Sequence, residues 1–239
     1  MSSIRGLFQL DVAPNPANLG FTAVRHADSG CAIAADASLY YRDELLASLD
    51  LTNSTVDDSE LILSAYLRWG EDCVGHLQGD FAFAIQDPRE ETLFCARDRY
   101  GMRPFYYHHS PGRFIAFASD ARNVVRYEQV PFAINEGRIA DFIVPQLEWI
   151  DCSSTFYEGV YRLPPAHALT VAKSGMTIAE FWSPMPGPEL ICKTDAEFRE
   201  GFLEVFTRAV RERLHVSDKQ VGSMLSGGMD SGSVTAVAL

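Results

Sequence analysis

The chain has no paired cysteines, no net positive charge and no long apolar run, and each absence removes a class of function. Its five cysteines, Cys31, Cys73, Cys95, Cys152 and Cys192, are odd in number and none sits in a C-x-x-C pair. That pattern argues against a disulfide framework and against a zinc site. They read as buried free thiols of a reducing compartment, and the expected location is cytoplasmic. Lys and Arg number 20 against 32 Asp and Glu, a net charge of −12. A chain this acidic repels a phosphate backbone, so no nucleic-acid partner is expected, although a single nucleotide needs only a local cradle. No stretch approaches the roughly 20 apolar residues of a membrane helix, and MSSIRGLFQLD lacks the apolar core of a signal peptide, so no membrane partner is expected. Repeats and low-complexity tracts are missing as well. What remains is ordinary globular composition, 47% hydrophobic and 22% charged over 239 residues, enough for one large domain or one domain and part of another.

The periodicity changes once along the chain. Before residue 182 it suggests many short strands with few helices. Strand candidates are Ile4–Leu10, Cys31–Asp36, Asp80–Gln86, Thr92–Ala96, Pro104–His109, Arg113–Ser119, Thr155–Leu163 and His167–Ala172. Within Asp80–Gln86, Phe81, Phe83 and Ile85 alternate with small Ala82 and Ala84, as a buried sheet requires. Ser110-Pro111-Gly112 is a hairpin turn signal. Helices are expected over Arg42–Leu49, from Asp57 to a stop at Gly70, and over Asn135–Val144. Asp57 and Glu60 have the spacing of a capping box. Trp182–Pro188 holds three prolines and reads as the linker. Beyond it Thr194 and Glu197 form a second capping box. Phe198, Phe202, Val205, Phe206, Ala209, Val210 and Leu214 then follow at helical spacing. Lys219–Leu225 is a short apolar run of strand type. Strands first and helix–strand–loop–helix afterwards imply two architectures in series.

Chemistry concentrates in Ser226-Gly227-Gly228-Met229-Asp230-Ser231. Two adjacent glycines let a backbone approach a ligand and turn its N–H groups inward, and a helix N-terminus adds partial positive charge. Ser226 and Ser231 can donate hydroxyl hydrogens to phosphate oxygens. Asp230 is repelled by phosphate, so its role there is to hold Mg²⁺ bridging to pyrophosphate. The bland alternative is a glycine-rich turn with Asp230 as a cap. No G-K-[ST] follows, so this is not a Walker A loop.

The run resembles the SGGxDS loop of ATP pyrophosphatases, which cleave ATP between its α- and β-phosphates. Leu77-Gln-Gly-Asp-Phe-Ala-Phe-Ala84, Ala96-Arg-Asp-Arg-Tyr-Gly-Met-Arg-Pro-Phe-Tyr106 and Phe156-Tyr-Glu-Gly-Val-Tyr-Arg-Leu-Pro-Pro165 resemble the class II amidotransferase core of asparagine synthetases. The resemblance implies an α+β chain in three parts. Residues 1–185 would form an Ntn-hydrolase-like αββα sandwich and residues 186–193 a linker. Residues 194–239 would be the truncated start of an α/β adenine-nucleotide alpha-hydrolase-like (PP-loop) domain. It also implies ATP and Mg²⁺ as cofactors. Leu225, Ser226, Gly227, Gly228, Asp230 and Ser231 would form the ATP/pyrophosphate loop, with Asp230 the Mg²⁺ ligand.

The same resemblance exposes losses. The family's glutaminase nucleophile is a cysteine made terminal by Met removal, whose α-amine serves as base. Here Ser2 stands in that place, and a serine hydroxyl is far harder to deprotonate than a thiol. The family triplet Asn-Gly-Glu falls on Asp36-Ala37-Ser38, and an ionised Asp cannot donate to an oxyanion. Asp58 aligns with the carboxylate that holds the glutamine amine, although a helix-capping role suits it equally. No catalytic residue of the glutaminase is therefore expected to work. Two readings compete. One is an asparagine synthetase-like, ATP-dependent amide-forming ligase acting on a small-molecule or peptide carboxylate. Its variants are the macrolactam-forming lasso-peptide cyclases, which Ser59–Gly70 resembles, and the β-lactam synthetases. A homodimer or a precursor peptide would be its macromolecular partner. The other is a non-catalytic truncated remnant or binding module, with residues beyond about 190 poorly packed. His108 and His109, adjacent on a strand, point to opposite faces and cannot converge on one ligand.

Overall fold

The computed structural model describes residues 3–10, 24–53, 55–144, 146–147, 150–189, 191, 194–214 and 221–239. The chain divides into two compact units, Met1–Leu39 with Asp43–Ser183, and Tyr40–Arg42 with Pro184–Leu239. The division falls at Ser183/Pro184, inside the proline-rich segment.

In unit 1, β1 (Arg5–Gln9), β6 (Tyr106–Ser110), β7 (Phe114–Ala118) and β8 (Tyr161–Arg162) form one antiparallel sheet in the order β1-β7-β6-β8. A second sheet runs β10 (Gly175–Glu180), β9 (His167–Ala172), β5 (Thr92–Arg97), β4 (Gly79–Asp87), β3 (Ala32–Leu39), β2 (Val24–Arg25). The alternation in β4 decides how the layers stack. Phe81, Phe83 and Ile85 enter a core with Leu45, Leu46, Leu61 and Ile62 of helices α1 (Arg42–Ser48) and α2 (Asp58–Trp69). Ala82 and Ala84 face the other way and, with Ala32, Ala34 and Cys95, meet Phe105, Tyr107, Ile115 and Phe117 from the first sheet. Small residues on one sheet thus receive aromatic rings from the other. The first sheet's outer face, Phe114, Ala116 and Ala118, packs against Val124 of the short helix α4 (Ala121–Val124) and Val130. The order is helix, sheet, sheet, helix, an α+β sandwich of αββα type. Each fully buried large side chain such as Phe81 contributes about 1.5–3 kcal/mol.

Local signals act where expected. Asp57 caps α2, its Oδ1 accepting the Ser59 N–H at 2.7 Å, and Gly70 ends the helix at φ +62°. The β6–β7 hairpin turns at Gly112 with φ +70°, closed by Arg113 N–H to Ser110 O at 3.0 Å. Cys73–His76 forms the one-turn helix α3, and Asn135 caps α5 (Glu136–Ile143).

Three expectations need correction. Thr155–Leu163 is not one strand: only Tyr161–Arg162 pairs with β6, because Asp151 gathers the N–H groups of Ser153 and Ser154 into a turn and Thr155 Oγ1 bonds Val160 O. Of the expected strand Lys219–Leu225, residues 219 and 220 lie outside the described residues and 221–225 are coil, since no strand among the described residues pairs with them. Cys152 is an exposed thiol, unlike buried Cys31, Cys73 and Cys95, and Cys192 lies outside the described residues.

In unit 2, Thr194 Oγ1 accepts the Glu197 N–H at 3.2 Å and starts α6 (Asp195–Leu214), followed by α7 (Met229–Ala238). No helix among the described residues is long and apolar enough to cross a membrane.

Candidate functional site

The run Arg97-Asp98-Arg99-Tyr100-Gly101-Met102-Arg103-Pro104 leaves β5 at Arg97 as a loop held from both sides. Asp98, fully buried, accepts N–H groups from Tyr100, Met102, Arg103 and Phe81 at 2.9–3.3 Å. Arg97 does the converse, donating to the carbonyls of Arg103, Leu163 and Gly101 at 2.7–2.8 Å. One side chain collects the loop's donors and its neighbour collects the acceptors, so the buried backbone is satisfied. Gly101 is obligatory here. It sits at φ +66°, and a Cβ would approach Arg97 Nη2 and Pro165 Cγ at 2.9 Å.

This loop delivers Arg103 to the end of β3. Arg103 Nη2 donates to Ser38 Oγ at 2.9 Å, and Nη1 lies 3.6 Å from Asp36 Oδ1. Asp36 and Ser38 continue the row of Ala32 and Ala34 that faces between the sheets. Their side chains and the guanidinium are largely shielded from water, Arg103 at 18% and Asp36 at 8% exposure. Asp58 joins the same strand end, its Oδ2 accepting the Leu39 N–H at 3.0 Å, while neighbouring Asp57 does the capping. Asp36 and Ser38 are therefore both engaged by the chain's own guanidinium. Ser2 lies outside the described residues. The sequence reading missed Arg103; its signal was a basic residue between the glycine and the proline of R-D-x-x-G-x-x-P.

In unit 2 the residues of the expected phosphate loop come together. Ser226 Oγ and Ser231 Oγ are 3.0 Å apart. The Gly228 and Ser226 N–H groups point at Ser226 Oγ and Ser231 Oγ at 3.4 and 3.3 Å. Gly227 takes φ +80°, in the left-handed region that favours glycine. Gly228 is the N-cap of α7 and supplies no side-chain acceptor, so the helix's first N–H groups face outward uncapped. Asp230 lies in that first turn, exposed, and Leu225 precedes the loop at 64% exposure. Among the described residues no cluster of three His, Cys, Asp or Glu side chains could hold a metal ion. A lone carboxylate suits a cation that takes its remaining ligands from pyrophosphate. An uncapped helix start with two converging hydroxyls and no Cβ at Gly227 or Gly228 fits an anion of that kind.

His108 and His109 do diverge: His108 Nδ1 meets Gly159 O at 2.8 Å, while His109 Nε2 is buried without a partner.

Residues 16–182 match the glutamine amidotransferase domain model and residues 201–239 match the asparagine synthase model. The chain is 33% identical over 187 residues to asparagine synthetase [glutamine-hydrolyzing] 3 of Bacillus subtilis (strain 168), covering 76% of this chain and 29% of that protein. It is 30% identical over 207 residues to putative asparagine synthetase [glutamine-hydrolyzing] 2 of Methanocaldococcus jannaschii, covering 86% and 39%. With the amidase chyE of Penicillium rubens it shares 28% identity over 204 residues, 83% of this chain and 28% of that one. The chain thus spans well under half the length of these relatives. With its αββα sandwich, its R-D-x-x-G loop and a matching model over most of its residues, the chain belongs to the glutamine amidotransferase domain family, in the asparagine synthetase-like arrangement that runs on into an asparagine synthase segment.

Proposed function

We propose that the chain serves an ATP-dependent carbon–nitrogen ligase of the cytoplasm in which the amidotransferase half no longer hydrolyses glutamine. In this reading a substrate carboxylate attacks the α-phosphorus of ATP, releasing pyrophosphate, and an amine then displaces AMP to leave an amide. The hydroxyls of Ser226 and Ser231 and the N–H groups of Gly227, Gly228 and the α7 start hold the departing pyrophosphate, contributing by position and charge. Asp230 would hold Mg²⁺, which neutralises pyrophosphate charge. The observation that carries the proposal is the convergence of Ser226 and Ser231 at an uncapped helix start.

The source of the amine follows from the other unit. Arg103 occupies Asp36 and Ser38, so the strand end offers glutamine neither the amide donor nor the acidic residue that the family triplet supplies. That favours free ammonia or an amine carried by the substrate itself, the second being the route of macrolactam-forming and β-lactam-forming relatives.

Exchange of labelled pyrophosphate into ATP tests the ligase reading. With aspartate, or with a peptide bearing a side-chain carboxylate, the purified protein should support exchange, and Ser226→Ala combined with Ser231→Ala should lower it about 100-fold. Exchange that is absent with every carboxylate, or unchanged in the double variant, would leave the non-catalytic reading.

A further inference from the structure

A cavity of about 300 Å³ in unit 1 takes no part in either site above. Tyr106, Arg138, Phe142, Phe156, Tyr157 and Arg162 line it. Arg162 is the informative member. Its guanidinium lies over the Tyr106 ring, 5.7 Å from the centroid. Its Nε is buried without a hydrogen-bond partner, and its side chain makes no ion pair among the described residues. A half-buried cation without a counter-charge is costly.

Arg138, nine-tenths buried, lines the same wall. Asp151 supplies the one carboxylate among the lining residues, and its Oδ1 accepts the N–H groups of Ser153 and Ser154 at 2.8 Å and the Ser153 hydroxyl at 3.0 Å. The field of Arg162 also reaches Arg97, whose pKa is lowered mainly by burial and in part by that neighbouring charge. Opposite the cations the wall is apolar: Phe142 and Phe156 meet edge to face at 5.4 Å. The volume is at the small end of ligand pockets.

We propose that this cavity binds a small carboxylate carried on an aromatic or aliphatic body. Arg162 holds the carboxylate through its planar fork, and Phe142 and Phe156 hold the body. The chemistry is shared by a free organic acid and by the C-terminal residue of a peptide. The site is independent of the ligase reading, since it uses no residue of the phosphate loop or of the β3 end.

Calorimetric titration of the purified protein with 3-phenylpropanoate and with its neutral amide tests this. The acid should bind at least about tenfold more tightly than the amide. Arg162→Gln should erase that preference with circular dichroism unchanged, and Phe156→Ala should weaken acid and amide together. A tetrapeptide ending in phenylalanine, free or amidated at its C-terminus, separates the two sources. Binding tighter than that of the free acid identifies a chain end, and equal or weaker binding identifies a small acid. Equal affinity for acid and amide, no saturable binding of either, or an acid preference that survives Arg162→Gln would overturn the proposal. Should Arg162→Gln fail to fold, the comparison of acid with amide on the unaltered protein still decides.

Discussion

The two units treat the same kind of amphipathic sequence differently. In unit 1 helix α2 puts Leu61, Ile62, Leu63, Ala65 and Tyr66 into a core and leaves its polar face in water. In unit 2 helix α6 also has an apolar repeat, yet Val210 is the buried residue while Phe198, Phe202, Leu203 and Val205 are each more than half exposed. The difference lies in what stands opposite. Alternating strands give α2 a surface of Phe81, Phe83 and Ile85, whereas the segment before α7 is unpaired coil. Periodicity therefore specifies a helix's faces and not their coverage, and stability follows coverage.

The sharpest way to break this contrast is a matched pair of truncations. Phe81→Ala should cost about 3–5 kcal/mol in urea unfolding, because it empties a fully buried site. Phe202→Ala should change stability by less than about 0.5 kcal/mol. A comparable loss in both would mean that α6 is covered after all.

Asp98→Ala comes next. It strands four backbone donors and leaves Arg97 buried with its loop unheld, and about 3 kcal/mol should be lost. The asymmetry with unit 2 sharpens here, since Ser226→Ala removes only exposed hydrogen bonds and should leave the melting temperature nearly unchanged.

The smallest effect is a pH dependence confined to unit 1. Burial alone would raise the Asp87 pKa, but the Arg89 side chain and N–H hold it down, to about 2. A lowered folded-state pKa stabilises above the unfolded value and is lost as pH falls. A contribution of about 2 kcal/mol should be complete above pH ~4 and disappear toward pH ~2. Thermal unfolding of unit 1 across that window should show the loss, and Asp87→Asn should flatten it. A pH-independent melting temperature would contradict the buried pairing of Asp87 with Arg89 and Tyr66.

Legibility in the sequence followed range. Asp57, Thr194 and Ser110-Pro111-Gly112 could be read directly, because a cap or a turn is decided within four residues. The alternation of Phe81, Phe83 and Ile85 with alanines marked a buried sheet, since strand period 2 assigns faces without knowledge of partners, while the αββα layering was implied only by the family resemblance. Val221–Leu225 misled for the opposite reason: a strand exists only beside another strand. The meeting of Ser226 and Ser231 was legible because the two hydroxyls lie five residues apart. Arg103 was not, because its hydroxyl partner lies 65 residues away, and neither was the unpaired Arg162, whose stacking on Tyr106 depends on β8 lying beside β6.

The proposal that the amidotransferase half no longer hydrolyses glutamine rests on Arg103 engaging Asp36 and Ser38 at the end of β3. The most direct test is to incubate the purified protein with glutamine and follow glutamate release. The account predicts none above the rate without protein, whereas steady, protein-dependent release would contradict it.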